Sequence, residues 1–182
     1  MALTQLNTEQ LVAKCREQNQ NAQLEIYNRY YKAMYNTALR IIKDQAEAED
    51  VMQESFLTAF TKLHMLDDNL LFGAWLKRIV INASLTVTRK NDLHREVALE
   101  NIEYTLTDTS ETIEKDVTKE KVHTVINTLS QLKGSYSTAL SLHLIEGYDY
   151  EEISEIMNIS YGNCRTLISR AKESLRKKLQ FV

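Results

Sequence analysis

Residues 149–175 read Asp149-Tyr150-Glu151-Glu152-Ile153-Ser154-Glu155-Ile156-Met157-Asn158-Ile159-Ser160-Tyr161-Gly162-Asn163-Cys164-Arg165-Thr166-Leu167-Ile168-Ser169-Arg170-Ala171-Lys172-Glu173-Ser174-Leu175. Asp149 can accept a hydrogen bond from the third residue of a following helix, and Glu152 at that position can reach back to the Asp149 amide, a reciprocal pattern that starts helices. Ile153, Ile156 and Met157 give this short helix an apolar side. Asn158 tolerates the left-handed backbone, so Asn158-Ile159-Ser160 predicts a tight turn in which Ser160 caps a second helix. In that helix Cys164, Leu167, Ile168, Ala171, Leu175 and Leu179 fall inward. Tyr161, Arg165, Thr166, Ser169, Arg170, Lys172 and Arg176 point outward or sideways. A short helix, a three-residue turn and a longer helix with a polar, basic start is the geometry that lays a probe in the DNA major groove. An amphipathic terminal helix with a solvated basic face is the plainer alternative, and the capped turn argues against it.

Working back toward the amino end, Val122, Val125 or Ile126, Leu129 and Leu132 predict one helix, and Tyr136, Ala139, Leu140 and Leu144 another. Before them, residues 91–120 lose all periodicity and turn acidic, the composition of a flexible tether. Three helices are expected ahead of that tether. The first carries Leu24, Tyr27, Tyr31, Met34 or Tyr35, Ala38 and Ile42 inward. The second, over residues 46–65, buries Met52, Phe56, Ala59, Phe60 and Leu63 while Glu47, Asp50, Gln53 and Glu54 project elsewhere. The third, over residues 72–90, buries Phe72, Trp75 or Leu76, Ile79, Ala83 and Val87 and aligns Arg78, Asn82, Thr86 and Arg89 on another face. Asp67-Asp68-Asn69 breaks the period between the last two, so residues 64–71 are expected to form a loop. The fold class is therefore all-α: two small helical domains, residues 1–90 and 122–182, joined by an acidic linker over 91–121.

Composition agrees. The 182 residues contain no proline, where average usage gives about nine, and only four glycines, so the turn chemistry of sheets and barrels is missing. Apolar residues at 43% suffice for a buried core. Two cysteines far apart, with no charged-then-apolar leader, suit a reducing cytoplasm rather than a disulfide framework. The longest stretches free of Asp, Glu, Lys and Arg, residues 79–88 and 134–145, are shorter than a bilayer crossing requires, so no membrane insertion is expected.

A net charge of -3 argues against a polyanionic partner only until the charges are placed. Residues 44–54 hold five acids and no base; residues 77–90 hold four bases and no acid; residues 92–120 hold nine acids against three bases; residues 161–178 hold six bases and one acid. Signed blocks of this kind suit several partners. Phe72 and Trp75 beside Arg78, Asn82 and Arg89 could join phosphate neutralisation to stacking on an unpaired base, although both aromatics also suit a core. The acids at 47, 50 and 54 lack the Glu-x-x-His companions a bundle metal site would need, so no metal or other cofactor is expected. No Ser-His-Asp, Cys-His or glycine-rich phosphate pattern occurs, and nothing supports an enzyme.

These residues also carry a resemblance. Ala48-Glu49-Asp50-Val51-Met52-Gln53-Glu54-Ser55-Phe56, followed by Phe72-Gly73-Ala74-Trp75-Leu76-Lys77-Arg78-Ile79 and Asn82, resembles region 2 of bacterial sigma factors. Glu146-Gly147-Tyr148-Asp149-Tyr150-Glu151-Glu152-Ile153, with Ser160, Gly162 and residues 169–175, resembles region 4. Two regions and a tether resemble the extracytoplasmic-function group of the sigma-70 family. The resemblance implies a protein that binds core RNA polymerase, directs it to promoter DNA and helps open the duplex. Asp50, Gln53 and Glu54, with Glu47 beside them, match positions that dock on polymerase. Trp75, Arg78 and Asn82, with Arg89 on the same face and the loop 64–71, match the part that melts the minus-10 element and holds a flipped base. Arg165, Thr166, Ser169 and Arg170, with Ser160 and Tyr161 at the helix start, match positions that read the minus-35 element. Members of the group are often held by an anti-sigma factor, which adds that class to the implied partners.

The chain departs from the family pattern in several places. Leu132-Lys133 replaces a usual Leu-Pro, Ser154 a usual Ala, and Asn158 a usual turn Gly. Asn163-Cys164 replaces Thr-Val, Leu167 a common Arg and Thr86 a common Asp, so promoter preference does not transfer from relatives. The competing reading is a stand-alone helix-turn-helix regulator that binds an operator; it leaves the acidic and aromatic-basic helices of the first 90 residues without a purpose. A helical adaptor protein would make the basic blocks incidental.

Overall fold

The structure is a computed structural model and describes residues 3–97 and 117–180, with side chains from 3–92 and 121–180. Every regular element among the described residues is helical, and the chain divides into two compact units, Met1–Thr88 and Arg89–Val182.

The first unit contains α1 (Thr8–Arg16), α2 (Gln20–Ile42), α3 (Gln45–Thr61) and most of α4 (Phe72–Val97). Each of the first three starts on a side-chain cap. Asn7 Oδ1 accepts from the Gln10 amide at 2.8 Å while Gln10 Oε1 accepts from the Asn7 amide at 3.1 Å. Asn19 Oδ1 accepts from Ala22 at 3.0 Å, and Asp44 Oδ1 from Glu47 at 2.9 Å. These bonds satisfy amides that a helix leaves without partners in its first turn. The core gathers Leu11, Val12, Ile26, Met34, Met52, Phe56, Phe72, Leu76 and Val80. Burial of each large side chain contributes about 1.5–3 kcal/mol before conformational entropy is set against it.

The expected α2 stripe holds except at its start: Met34 and Ala38 are buried, and Tyr27, Tyr31, Tyr35 and Ile42 pack half-buried against the core. Leu24 is 58% exposed, and Ala22 and Ile26 are buried in its place. Positions 22, 26 and 34 share one side, whereas residue 24 lies about 200° from residue 22. Helix α3 stops at Thr61, short of the expected residue 65; the expected Met52, Phe56 and Ala59 are buried in it, Phe60 is half-buried, and Leu63 is buried just past its end. The expected loop at 64–71 is present and tightened by two 3₁₀ turns, Leu63–Met65 and Asn69–Leu71.

Helix α4 outlasts its expected end at Lys90 and runs to Val97. Residues 91–97 contain neither glycine nor proline, so nothing local stops the helix where the apolar period fades. The central part of the expected tether, 98–116, lies outside the described residues. By length and composition alone, the helical segment Asn69–Asp92, with a mean hydropathy of 1.4, is long and apolar enough to cross a bilayer. Lys77 and Arg78 interrupt its apolar run. Phe72, Leu76 and Val80 are spent in the core of the first unit, which accounts for that hydropathy.

The second unit contains α5 (Val117–Ser130), α6 (Gly134–Leu140), a π-helical turn (Ser141–Ile145), α7 (Tyr150–Met157) and α8 (Tyr161–Leu179). Its buried residues include Leu129, Leu132, Ala139, Leu140, Leu142, Ile153, Ile156, Cys164, Ile168, Ala171 and Leu175. The two helices expected here form, and not all of their apolar positions are covered. Val122, Val125 and Ile126 are exposed, whereas Thr128 and Leu129 in the last turn of α5 are covered. Leu144, expected inward, is 51% exposed while Leu142 is fully buried. Both lie in the π turn, which takes more residues per turn than an α-helix and so changes the side-chain phase within it.

Candidate nucleic-acid and protein interfaces

Helix α3 is two-sided. Ala48, Val51, Met52, Ser55 and Phe56 are buried, which leaves Asp50, Gln53 and Glu54 exposed and Glu47 half-buried. Residues 47, 50 and 54 are one and two turns apart, so three carboxylates share one face. Glu47 lies in the first turn, where the positive end of the helix dipole favours a carboxylate. Gln53 Nε2 donates to Glu49 Oε1 at 3.3 Å. Leu57, 63% exposed, continues this side of the helix with an apolar group that the sequence reading passed over. Among the described residues no three His, Cys, Asp or Glu side chains are grouped to hold a metal ion.

On α4, Trp75, Arg78, Asn82, Thr86 and Arg89 follow one another at intervals of three or four residues and so share a face. Asn82, Thr86 and Arg89 are exposed; Trp75 and Arg78 are half-buried. Phe72 belongs wholly to the core at 1% exposure, and Trp75 leans on it with ring centroids 6.2 Å apart. Tyr30 meets Phe72 edge-on from α2 at 5.7 Å. This row of aromatics is possible because residue 73 is glycine: a Cβ there would come within 3.0 Å of the Tyr30 ring. The start of α4 is thus pressed against α2, with Trp75 partly uncovered. Ahead of it, the loop presents Met65, Leu70 and Leu71, each more than half exposed.

The second unit builds a helix-turn-helix from short-range bonds. Asp149 Oδ1 accepts from the Glu152 amide, and Glu152 Oε2 from the Asp149 amide, both at 2.8 Å. Asn158 ends α7 in the left-handed region with φ 53°. Ser160 Oγ then accepts from the Asn163 amide at 3.3 Å, so Ser160, placed among the DNA-contacting residues by resemblance, also caps α8. Cys164, Ile168, Ala171 and Leu175 lock one side of α8 into the core. Tyr161, Arg165, Thr166, Ser169 and Arg170 are exposed on the other. Lys172 is drawn aside, donating to the Tyr150 hydroxyl at 3.2 Å. Burial pushes the thiol of Cys164 above its ordinary pKa, and that of Cys15 up to about 11, which marks both as core groups rather than nucleophiles.

The family descriptions "Sigma-70 region 2" and "Sigma-70, region 4" match residues 26–93 and 123–175. The RNA polymerase sigma-H factor of Pseudomonas aeruginosa is 31% identical, over 98% of this chain and 96% of its own. The chain belongs to the extracytoplasmic-function sigma factors of the sigma-70 family. The same extent of likeness holds for SigW of Bacillus subtilis, an extracytoplasmic-function factor 29% identical over 93% of this sigma factor and 95% of its own length. Sigma-E of Escherichia coli is 28% identical over 97% and 96%. Among solved structures, RpoE of Bartonella quintana covers 86% of this factor and 95% of its own chain, with a TM-score of 0.60 at 21% identity. CnrH covers 95% and 97% with a TM-score of 0.57 at 22% identity. At these identities the structures speak for the all-α fold alone.

Proposed function

We propose that this promoter-directing sigma factor divides its work among three surfaces, one of them for protein and two for DNA. The acidic side of α3, Glu47, Asp50, Gln53 and Glu54, docks on core RNA polymerase. Charge that is exposed and of one sign steers association with a basic surface. The uncovered side of α4, with Trp75, Arg78, Asn82 and Arg89 and the loop ahead of it, engages the minus-10 element and holds it open. Aromatic stacking on an unpaired base can offset the few kcal/mol that unstacking costs, roughly 1–3 kcal/mol per base. The exposed side of α8, Ser160, Tyr161, Arg165, Thr166, Ser169 and Arg170, reads the minus-35 element in the major groove.

The observation that carries this reading is the two-faced α8: its core side is closed by Cys164, Ile168, Ala171 and Leu175, and every residue that resemblance assigns to DNA lies off that side. In domain terms, residues 1–90 dock and melt, with α4 continuing past that boundary. Residues 122–182 read the upstream element, and the acidic residues 91–121 connect them. The factor performs no chemical step itself and needs no metal or cofactor. It works in the cytoplasm, where core polymerase and promoters are. RpoE of Bartonella quintana was solved with the anti-sigma factor NepR, and a partner of that class is proposed for this factor too.

Run-off transcription with purified core enzyme and genomic promoter fragments tests the proposal. Specific transcripts that depend on the factor are expected. Tight, sequence-specific, salt-sensitive duplex binding by the factor without core, together with no redirected transcription, would refute it in favour of an operator-binding regulator.

A further inference from the structure

The loop between α3 and α4 is held at both feet. Leu66 is buried at its start, Asn69 is half-buried near its end, and Asp67, Asp68, Leu70 and Leu71 are exposed. Local bonds shape the tip: Asp68 Oδ1 accepts from the Leu70 amide at 2.9 Å, and the Asp68 carbonyl from the Leu71 amide at 3.0 Å. A further attachment comes from α1. Arg16 Nε and Nη2 donate to Asn69 Oδ1 at 3.1 and 3.0 Å, and Nη2 also donates to the Leu66 carbonyl. One guanidinium therefore ties together two loop residues that lie 50 and 53 positions further along the chain.

This pattern suits arginine. Its planar fork places several donors in fixed relative directions, whereas the lysine ammonium is a compact charge that does not reproduce the fork. The fold of α1 does not depend on it, because Leu11, Val12 and Cys15 anchor the helix in the core while Arg16 itself is exposed. The bonds act on the loop. A loop ordered in advance has already lost the conformational freedom that binding would otherwise remove.

We propose that Arg16 is a positioning residue for promoter opening: by bridging Leu66 and Asn69 it presents the tip of the 66–71 loop to the separating strand in one preset geometry. This rests on the reading above, in which that loop takes part in melting.

The test uses the full-length factor with core polymerase on a duplex promoter, with permanganate reactivity of minus-10 thymines reporting strand opening. Arg16→Ala is expected to slow opening on the order of tenfold, which corresponds to about 1.4 kcal/mol. Affinity for core and the melting temperature of the factor should stay at wild-type values. Asn69→Ala should slow opening similarly, and the double variant should be no slower than the worse single one, as expected for partners in one interaction. Arg16→Lys keeps the charge but loses the fork, and should not restore the rate. Opening at the wild-type rate by Arg16→Ala, additive losses in the double variant, or full recovery with Arg16→Lys would overturn the proposal. So would a drop in melting temperature that accounts for the slower opening. If the wild-type factor opens no promoter with core, the proposed function itself fails and this inference falls with it, an outcome distinct from the others.

Discussion

Ile168 and Ser169 are neighbours in sequence and opposites in structure, and replacing each by alanine measures which side of α8 is committed to the core. Ile168 is fully buried, and Ser169, about 100° further around the helix, is exposed. Ile168→Ala removes three carbons from a packed interior, and such truncations cost on the order of 2–4 kcal/mol. Ser169→Ala removes a hydroxyl that water already solvates, a change worth no more than about 0.5 kcal/mol. Native-state amide exchange in the full chain reads both. Each ~1.4 kcal/mol is a tenfold change in the open population, so Ile168→Ala should accelerate exchange through α7 and α8 by roughly thirty- to a thousandfold. Ser169→Ala should leave exchange within about threefold of wild type and instead alter selection among upstream elements. If Ser169→Ala loosened the unit more than Ile168→Ala, the buried and exposed sides of α8 would be exchanged. Arg165 and Arg170 would then no longer face DNA, and the recognition surface would be lost with them.

The other predictions concern single surfaces. Asp50→Lys reverses a charge on the exposed side of α3 and should weaken capture of core polymerase by tenfold or more, on the order expected for a steering charge set against its partner. Its melting temperature should match wild type, and capture at wild-type strength in a pull-down would remove α3 from the docking surface. Arg165→Ala and Arg170→Ala should each lower discrimination at the minus-35 element by about 1–3 kcal/mol. Competition transcription between promoters differing in that element measures it, and an unchanged order of preference would refute the assignment. Burial raises Cys15 from 9.0 to about 11, so the unfolded chain releases this proton before the folded one does. The resulting stability is present in full below the unfolded value and is lost as pH rises through the folded one. Urea melts on the alkaline side should therefore show stability falling less steeply in Cys15→Ala than in wild type.

What the amino-acid sequence determined by itself is what lies within a few residues along the chain. The Asp149–Glu152 capping box, the left-handed Asn158 and the Ser160 cap were all legible, because donor and acceptor in each are three residues apart or the conformation belongs to one residue. The inward row of α8 was legible too, since a capped helix whose start is known has a known phase. Tertiary structure decided which apolar residues are covered. Leu24, Val122, Val125, Ile126 and Leu144 have helical spacing, yet all are exposed. Spacing tells which residues share a side of a helix; burial depends on whether another element lies over that side. The π turn that contains Leu144 shows the same limit, because a change of helical pitch shifts the side-chain phase with no residue to announce it. The Arg16 bridge to Leu66 and Asn69 left no trace in the sequence reading. A guanidinium and an amide more than fifty residues apart become partners only when helix packing brings α1 beside the loop, and no pattern of local spacing encodes that meeting.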